Sequence, residues 1–179
     1  MRAWVVYESM FGNTKLVAEA VAEGLSSRLT ADVVEVGAAP TSLDGVELVV
    51  VGGPTHVLGM TRQRTRDDAR RQGQQTGHPV GSTAVGMREW LEELRPGSTG
   101  AAAAAFDTRI DKPRVPGSAA RGADKRLRRR GLRTIARPES FWVTGTFGPL
   151  REGEVERARR WGEQLAAAAA GAERAAGRP

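Results

Sequence analysis

Apolar positions along the chain change period several times, and each change marks an element. Ala3-Trp4-Val5-Val6-Tyr7 is a continuous apolar run of β-branched and aromatic character, which predicts a buried strand. From Thr14 the spacing becomes helical, with Leu16, Val17, Ala20, Val21 and Leu25 on one face until about Arg28. Strands are predicted again over Ala31–Val36 and Val46–Val51, the second of which is apolar on both faces. Val85–Leu94 reads as a helix that stops before Arg95-Pro96-Gly97. Ala101–Phe106 is assigned as a strand from its place in the alternation, since five alanines carry little strand propensity. A helix over Ser118–Arg130 closes at Gly131, and a fifth strand runs through Leu132–Ile135 and Ser140–Thr144, bent around Pro138. The last helix starts near Glu152, has acids in its first turns, and continues through Trp161 and Leu165.

Alternating strands and helices argue for a parallel sheet covered on both faces. Five strands suit the doubly wound α/β order 2-1-3-4-5, in which ligands sit outside the carboxyl ends of the strands. The chain reads as a single domain over 1–170 followed by a frayed tail at 171–179. One stretch departs from short connections: an insert at 60–83 separates the third strand from its helix. Thr65–Gln72 suits a short helix there with Gly73 as its stop, and a disordered surface insert is the alternative.

Composition narrows the chemistry. The absence of cysteine among 179 residues removes disulfides, thiolate nucleophiles and Cys-ligated metals, and fits a reducing compartment. Two histidines, His56 and His78, argue against a His-rich metal site. No apolar run approaches a bilayer span and no signal-like leader opens the chain, so a soluble, cytoplasmic protein is expected. The net charge of +6 is unevenly placed: seven acids face three bases over 1–60, whereas 109–137 holds eleven bases and two acids. That basic block suits an acidic protein partner, nucleic acid or an anionic cofactor, or a plain solvated face.

The first strand delivers the chain to Ser9-Met10-Phe11-Gly12-Asn13-Thr14, and a helix follows at once. A helix start presents unpaired N–H groups and the positive end of the dipole, which together hold a phosphate. Gly12 allows close backbone approach, the Ser9 and Thr14 hydroxyls can donate, and the turn contains no cation until Lys15. An ordinary turn with Asn13 as N-cap would carry the same letters. Neither G-x-G-x-x-G nor G-x-x-x-x-G-K-[ST] is present.

The segment Val5-Val6-Tyr7-Glu8-Ser9-Met10-Phe11-Gly12-Asn13-Thr14 resembles the flavodoxin signature, a hydroxyl residue opening a phosphate loop that ends in G-N-T. Gly52-Gly53-Pro54-Thr55-His56-Val57-Leu58-Gly59-Met60 is similar to the family's loop beside the isoalloxazine ring, and Phe106-Asp107-Thr108-Arg109 occupies the place of the other flavin-flanking loop. The resemblance covers most of the chain. It implies a flavodoxin-like fold and an FMN site built from Ser9–Thr14, Pro54–Met60 and Phe106–Arg109, with no catalytic side chain and no metal.

Departures from the family pattern bear on function. Flavodoxins commonly sandwich the ring between Trp and Tyr, whereas these loops offer His56, Leu58, Met60, Phe106 and Arg109. Trp4, Trp90, Trp142 and Trp161 fall within strands or helices and are expected in the core. His56 either contacts the flavin edge or faces solvent, and Arg109 either places charge near the ring or pairs with Asp107. The leading expectation is an FMN-dependent electron carrier working between a reductase and an acceptor, one of them acidic. An NAD(P)H-dependent quinone or flavin reductase is the alternative, with Arg62, Arg64, Arg66, Arg70 and Arg71 positioned for cofactor phosphates. A flavin-free nucleic-acid binder is disfavoured because no aromatic stacking platform accompanies the arginines.

Overall fold

A computed structural model of the protein describes residues 1–56, 59–78, 80, 81, 84–98, 100–112 and 116–176, the last five as backbone. The described elements are β1 (Arg2–Tyr7), α1 (Asn13–Leu25), β2 (Thr30–Glu35), β3 (Leu48–Pro54), α2 (Gln63–Thr76), α3 (Met87–Glu93), β4 (Ala102–Ile110), α4 (Ala119–Arg129), β5 (Arg133–Thr134), β6 (Glu139–Val143) and α5 (Glu154–Ala176). The sheet is parallel in the order β2-β1-β3-β4-β5, as the alternation predicted. The fifth position is filled by two segments. Arg133 and Thr134 pair with Ala102 and Ala103, and Glu139–Val143 pair further along with Phe106–Ile110. Between them lies Pro138, which has no N–H to give the ladder.

Successive strand residues point to opposite layers, and the buried side chains divide accordingly. Val5, Val50 and Ala104 pack with Val17, Val21 and Leu25 of α1 and Trp161 and Leu165 of α5. Val6, Val49, Val51 and Ala103 pack with Trp90 and Leu91 of α3 and Ala123 and Leu127 of α4. Two buried faces explain why β1 and β3 read as unbroken apolar runs. Helices α1 and α5 meet backbone to backbone: a Cβ on Gly24 would stand 2.0 Å from the Arg159 carbonyl oxygen, and one on Gly162 2.3 Å from that of Val21.

Several boundaries differ from the sequence reading. Helix α1 stops at Leu25 rather than Arg28, because the hydroxyls of Ser26 and Ser27 turn back onto the carbonyls of Ala22 and Gly24. Strands β3 and β4 run on through Gly52–Pro54 and Asp107–Ile110, beyond the ends that the sequence reading gave them at Val51 and Phe106. Pairing decides this: Gly52 lies opposite Phe106, and Phe106–Ile110 gain a second ladder with β6. The insert is helical rather than disordered over Gln63–Thr76, and its stop is Gly77 in the left-handed region (φ 72°), not Gly73. Helix α5 begins at Glu154 and continues past Ala170 to Ala176, so the expected tail is helical through that point. Among the described residues no helix is long and apolar enough to cross a membrane.

Candidate functional site

The turn from β1 to α1 opens at the carboxyl edge of the sheet. Ser9 is buried, and its Oγ accepts from the N–H of Gly12 (3.1 Å) and of Lys15 (3.4 Å). Gly12 precedes α1 at φ 88°, a conformation that glycine takes without strain, and as N-cap it has no side chain to accept from the first amides. The amides of Asn13 and Thr14 therefore have no acceptor among the described residues and point outward from the start of a 13-residue helix. Asn13 is not the N-cap. Its Nδ2 donates to the Phe147 carbonyl (3.2 Å), tying the turn to the chain that follows β6. The Thr14 and Thr108 hydroxyls share a hydrogen bond of 2.7 Å, which fixes α1 to β4.

A cleft of about 370 Å³ lies directly over this helix start. Of the sequence-identified residues, Ser9, Met10, Phe11, Asn13 and Thr14 line one end, and Pro54, Thr55, His56, Thr108 and Arg109 the rest. His56 faces the cleft rather than open solvent, and burial holds its imidazole below the ordinary histidine range. His56 and Gly59 exchange both backbone hydrogen bonds (2.9 Å each), closing a tight turn whose central residues, Val57 and Leu58, lie outside the described residues. Arg109 does not pair with Asp107; its guanidinium stands over the Trp142 ring, 5.6 Å from the centroid. Trp4, Trp90 and Trp161 are core residues as expected, while Trp142 is only half-buried.

Other sequence-identified residues lie away from the cleft walls. Phe106 points into the α1–α5 layer below the cleft, where it meets Phe141 and Trp161 edge-on at centroid distances of 5.9 and 6.1 Å. Met60 is in the core against α4, while Gly12 and Gly59 supply backbone conformation. Asp107 is fully buried and acts as a brace. Its Oδ2 accepts from Thr55 Oγ1 (2.8 Å), Ser118 Oγ (2.6 Å) and the Ala120 amide (3.0 Å), while Oδ1 has no partner among the described residues. It joins the end of β3 to the start of α4 behind the cleft wall. Position along β4 separates these roles: Thr108 and Arg109 lie at the carboxyl edge under the cleft, whereas Phe106 and Asp107, one on each face, lie a step deeper in the sheet.

Some cleft residues carried no sequence signal. Gln72 from the insert, Ile110, Val143, Gly145 and Thr146 complete the lining. Phe147 stacks on His78 (4.1 Å, 7° between planes) and meets Phe11 edge-on (4.8 Å), making an aromatic cluster beside the β1–α1 turn. The insert returns over that turn, where the Gly81 amide donates to the Met10 carbonyl (2.9 Å). A Cβ on Gly81 would fall 2.3 Å from the Ser9 carbonyl oxygen. The insert thus forms a wall of the cleft. Arg66 is not positioned for a cofactor phosphate: it is buried, and its guanidinium is bound to Glu89 (3.1 Å) and Gln63 (2.8 Å). Arg70 and Arg71 pair with Asp67 and Asp68 along α2.

Beneath the turn sits Glu8, almost wholly buried. One carboxylate oxygen accepts from the Thr61 hydroxyl and the other from the Met87 amide (2.7 Å). Burial pushes its pKa up, against the pull of those two donors and of Arg66. No cluster of carboxylates and imidazoles suited to a metal occurs among the described residues.

A phosphorylated planar ligand fits what is present. Free amides at a helix start suit the phosphate, a volume near the lower range of small-molecule clefts suits the ring system, and the walls are mainly apolar. A family model described as flavodoxin matches residues 5–171. No curated protein matches in sequence. Among solved structures, a flavodoxin from the domain Archaea aligns over 94% of this chain and 99% of its own, at 20% identity and a TM-score of 0.62. Oxidised flavodoxin 1 from Bacillus cereus aligns over 92% and 97%, at 15% identity and a TM-score of 0.62. The flavodiiron protein from Giardia intestinalis aligns over 95% of this chain but 36% of its own, at 19% identity and a TM-score of 0.58. At these identities the likeness is one of fold.

Proposed function

The chain belongs to the flavodoxin family, and from that premise we propose that it binds FMN and carries electrons between a reductase and an acceptor. The observation that carries this reading is the start of α1, whose Asn13 and Thr14 amides open unbonded onto the cleft. Those amides and the Ser9 and Thr14 hydroxyls would hold the phosphate; both lone pairs of Ser9 Oγ already serve the turn, which leaves its proton to donate. Bound flavin supplies the electron chemistry. The chain contributes a mainly apolar cleft, a neutral His56 on its wall and the positive charge of Arg109 near its far end, a charge that favours an electron-rich occupant. Nothing in this arrangement calls for a nucleophile.

An NAD(P)H-dependent quinone or flavin reductase is the second reading, favoured by one observation: Phe11, at the phosphate end, is the only Phe, Tyr or Trp on the described cleft lining. The ring end thus leaves room for a second planar group. The burial of Arg66 and the pairing of Arg70 and Arg71 weaken it, because three of the insert's five arginines are engaged within the chain. The visible spectrum of purified protein, followed by FMN titration, tests the central reading; a colourless protein that takes up no FMN would sink it. Anaerobic mixing with NADPH separates the two roles. Bleaching that requires an added reductase supports the carrier, and bleaching by NADPH alone supports the enzyme.

A further inference from the structure

A group of cations lies on the α3–α4 side, next to the turn that closes at His56 and Gly59. Arg88, in the first turn of α3, donates to the carbonyls of Met60 (3.2 Å) and Thr61 (3.4 Å). Its guanidinium is thereby anchored to the chain that leaves the cleft wall. Arg126 of α4 reaches back to the Gly122 carbonyl (3.2 Å), and Gly122 lies against the Met60 side chain. At helical spacing Gly122, Lys125, Arg126 and Arg129 form one stripe of α4, opposite to the flank where Arg128 pairs with Asp124. None of Arg88, Lys125, Arg126 and Arg129 has a carboxylate within ion-pair distance among the described residues.

The group is internally repulsive. Burial lowers the Arg126 pKa, Arg88 and Arg129 lower it further, and Glu92 alone opposes them. Nine other described arginines, Arg66, Arg128 and Arg157 among them, have carboxylate partners, whereas others such as Arg28 and Arg133 have none within ion-pair distance among the described residues. Unmatched cations gathered beside a cofactor cleft, in a chain of net charge +6, are complementary to carboxylates brought by another molecule. The large hydrophobic side chains exposed among the described residues are Met1, Leu16, Val33, Val85 and Val155, none aromatic, so the face offers no stacking platform for nucleic-acid bases.

We propose that Arg88, Lys125, Arg126 and Arg129 form the docking surface for an acidic electron-transfer protein, which they seat beside the cleft wall at His56. The inference rests on the redox reading for the partner's role, but the docking itself needs no flavin. Paired surface charges of this kind act more on encounter rate and salt dependence than on final affinity.

The test is calorimetric titration of the full chain with an acidic plant-type ferredoxin, at low and at moderate salt, before and after loading with FMN. Binding should weaken about tenfold across the salt range. The triple variant R88Q/R126Q/R129Q should lose a further tenfold, whereas R28Q/R151Q/R160Q, with the same loss of charge elsewhere, should lose less than twofold. Removing the opposing acid, E92Q, should tighten binding. Should the triple variant fold poorly by circular dichroism, K125Q/R129Q touches no internal hydrogen bond and should still weaken binding severalfold. Equal loss in the two triple variants, or equally tight binding of a basic cytochrome c, would overturn the proposal. So would a triple variant that loses duplex DNA while keeping ferredoxin. Failure to take up FMN overturns the redox reading and is scored separately by absorbance.

Discussion

At the scale of single residues, the phosphate turn depends on small groups held in fixed orientation. Ser9 Oγ receives two amides, so its hydroxyl proton is directed away from the turn. A donor to a dianion contributes roughly 1.5–3 kcal/mol. Ser9→Ala should therefore weaken FMN binding by at least about tenfold in a fluorescence-quenching titration, and leave riboflavin, which has no phosphate, nearly unaffected. Equal losses for both ligands would mean that Ser9 only shapes the turn. His56 gives a prediction of pH dependence. Burial lowers its pKa from 6.5, so the unfolded chain takes up a proton that the folded chain resists. The stability linked to a neutral His56 is complete above the unfolded pKa and declines as pH falls below about 6.5. Urea unfolding at pH 7.5 and 5.5 should show this decline in the native chain and a smaller one in His56→Gln. Glu8 acts in the opposite sense, since its raised pKa favours the folded state as pH drops toward 4.5, so the comparison is between variants at each pH.

At the scale of elements, the α1–α5 contact is set by glycine rather than by interdigitating side chains. A methyl on Gly24 would stand 2.0 Å from a backbone oxygen of α5, which no rotamer change relieves. Gly24→Ala should force the helices apart and cost about 3 kcal/mol, at the upper end for overpacking, measured by chemical denaturation. Gly171→Ala, in α5 and with open space around it, serves as the comparison without a clash and should not destabilise. Such contacts show why only part of the architecture was legible in the sequence. A continuous apolar run made β1 legible, helical spacing α1 and a glycine stop the end of α4, because these signals are written in neighbouring residues. The extension of β3 through Gly52-Gly53-Pro54 and of β4 through Asp107 and Thr108 was not legible, since these residues have low or ordinary strand propensity and are held by partners. The same reason separated the site. Ser9–Thr14 was readable as a turn between two periods, whereas Phe106 and Asp107 could be placed behind the cleft only once β4 was known to pass through them. Gln72, His78 and Phe147 meet the turn across long stretches of chain and leave no periodic trace.

At the scale of the whole molecule, one buried polar chain joins the phosphate turn to the insert and to α3. Glu8 follows β1, Thr61 precedes α2, Arg66 lies within α2, and Glu89 belongs to α3; each bonds the next. Arg66 is 1% exposed and Glu89 40%, so the two partners are unequal. Removing Glu89 leaves a buried guanidinium with weaker compensation, whereas removing Arg66 leaves a carboxylate already reached by water. Breaking a buried pair on the costly side loses about 3–5 kcal/mol, and the exposure of Glu89 puts this case at or below the lower figure. That cost falls on the insert, because α2 has few other buried anchors: Arg66, Ala69 and Gly73 are its buried residues. Glu89→Gln should therefore loosen α2 before it unfolds the sheet. Hydrogen exchange should speed up over 63–76 by at least about tenfold while β1, β3 and β4 keep their protection. Because Gly81 rests on the Ser9 carbonyl and Gln72 lines the cleft, FMN should also dissociate faster, read by stopped-flow exchange against excess apoprotein of another flavodoxin. If exchange instead rises uniformly through the sheet, the insert is part of the cooperative core and not a separately held wall. The placement of Arg66 makes the first outcome the expected one, since the pair it forms ties α2 to α3 and leaves the ladders of the sheet intact.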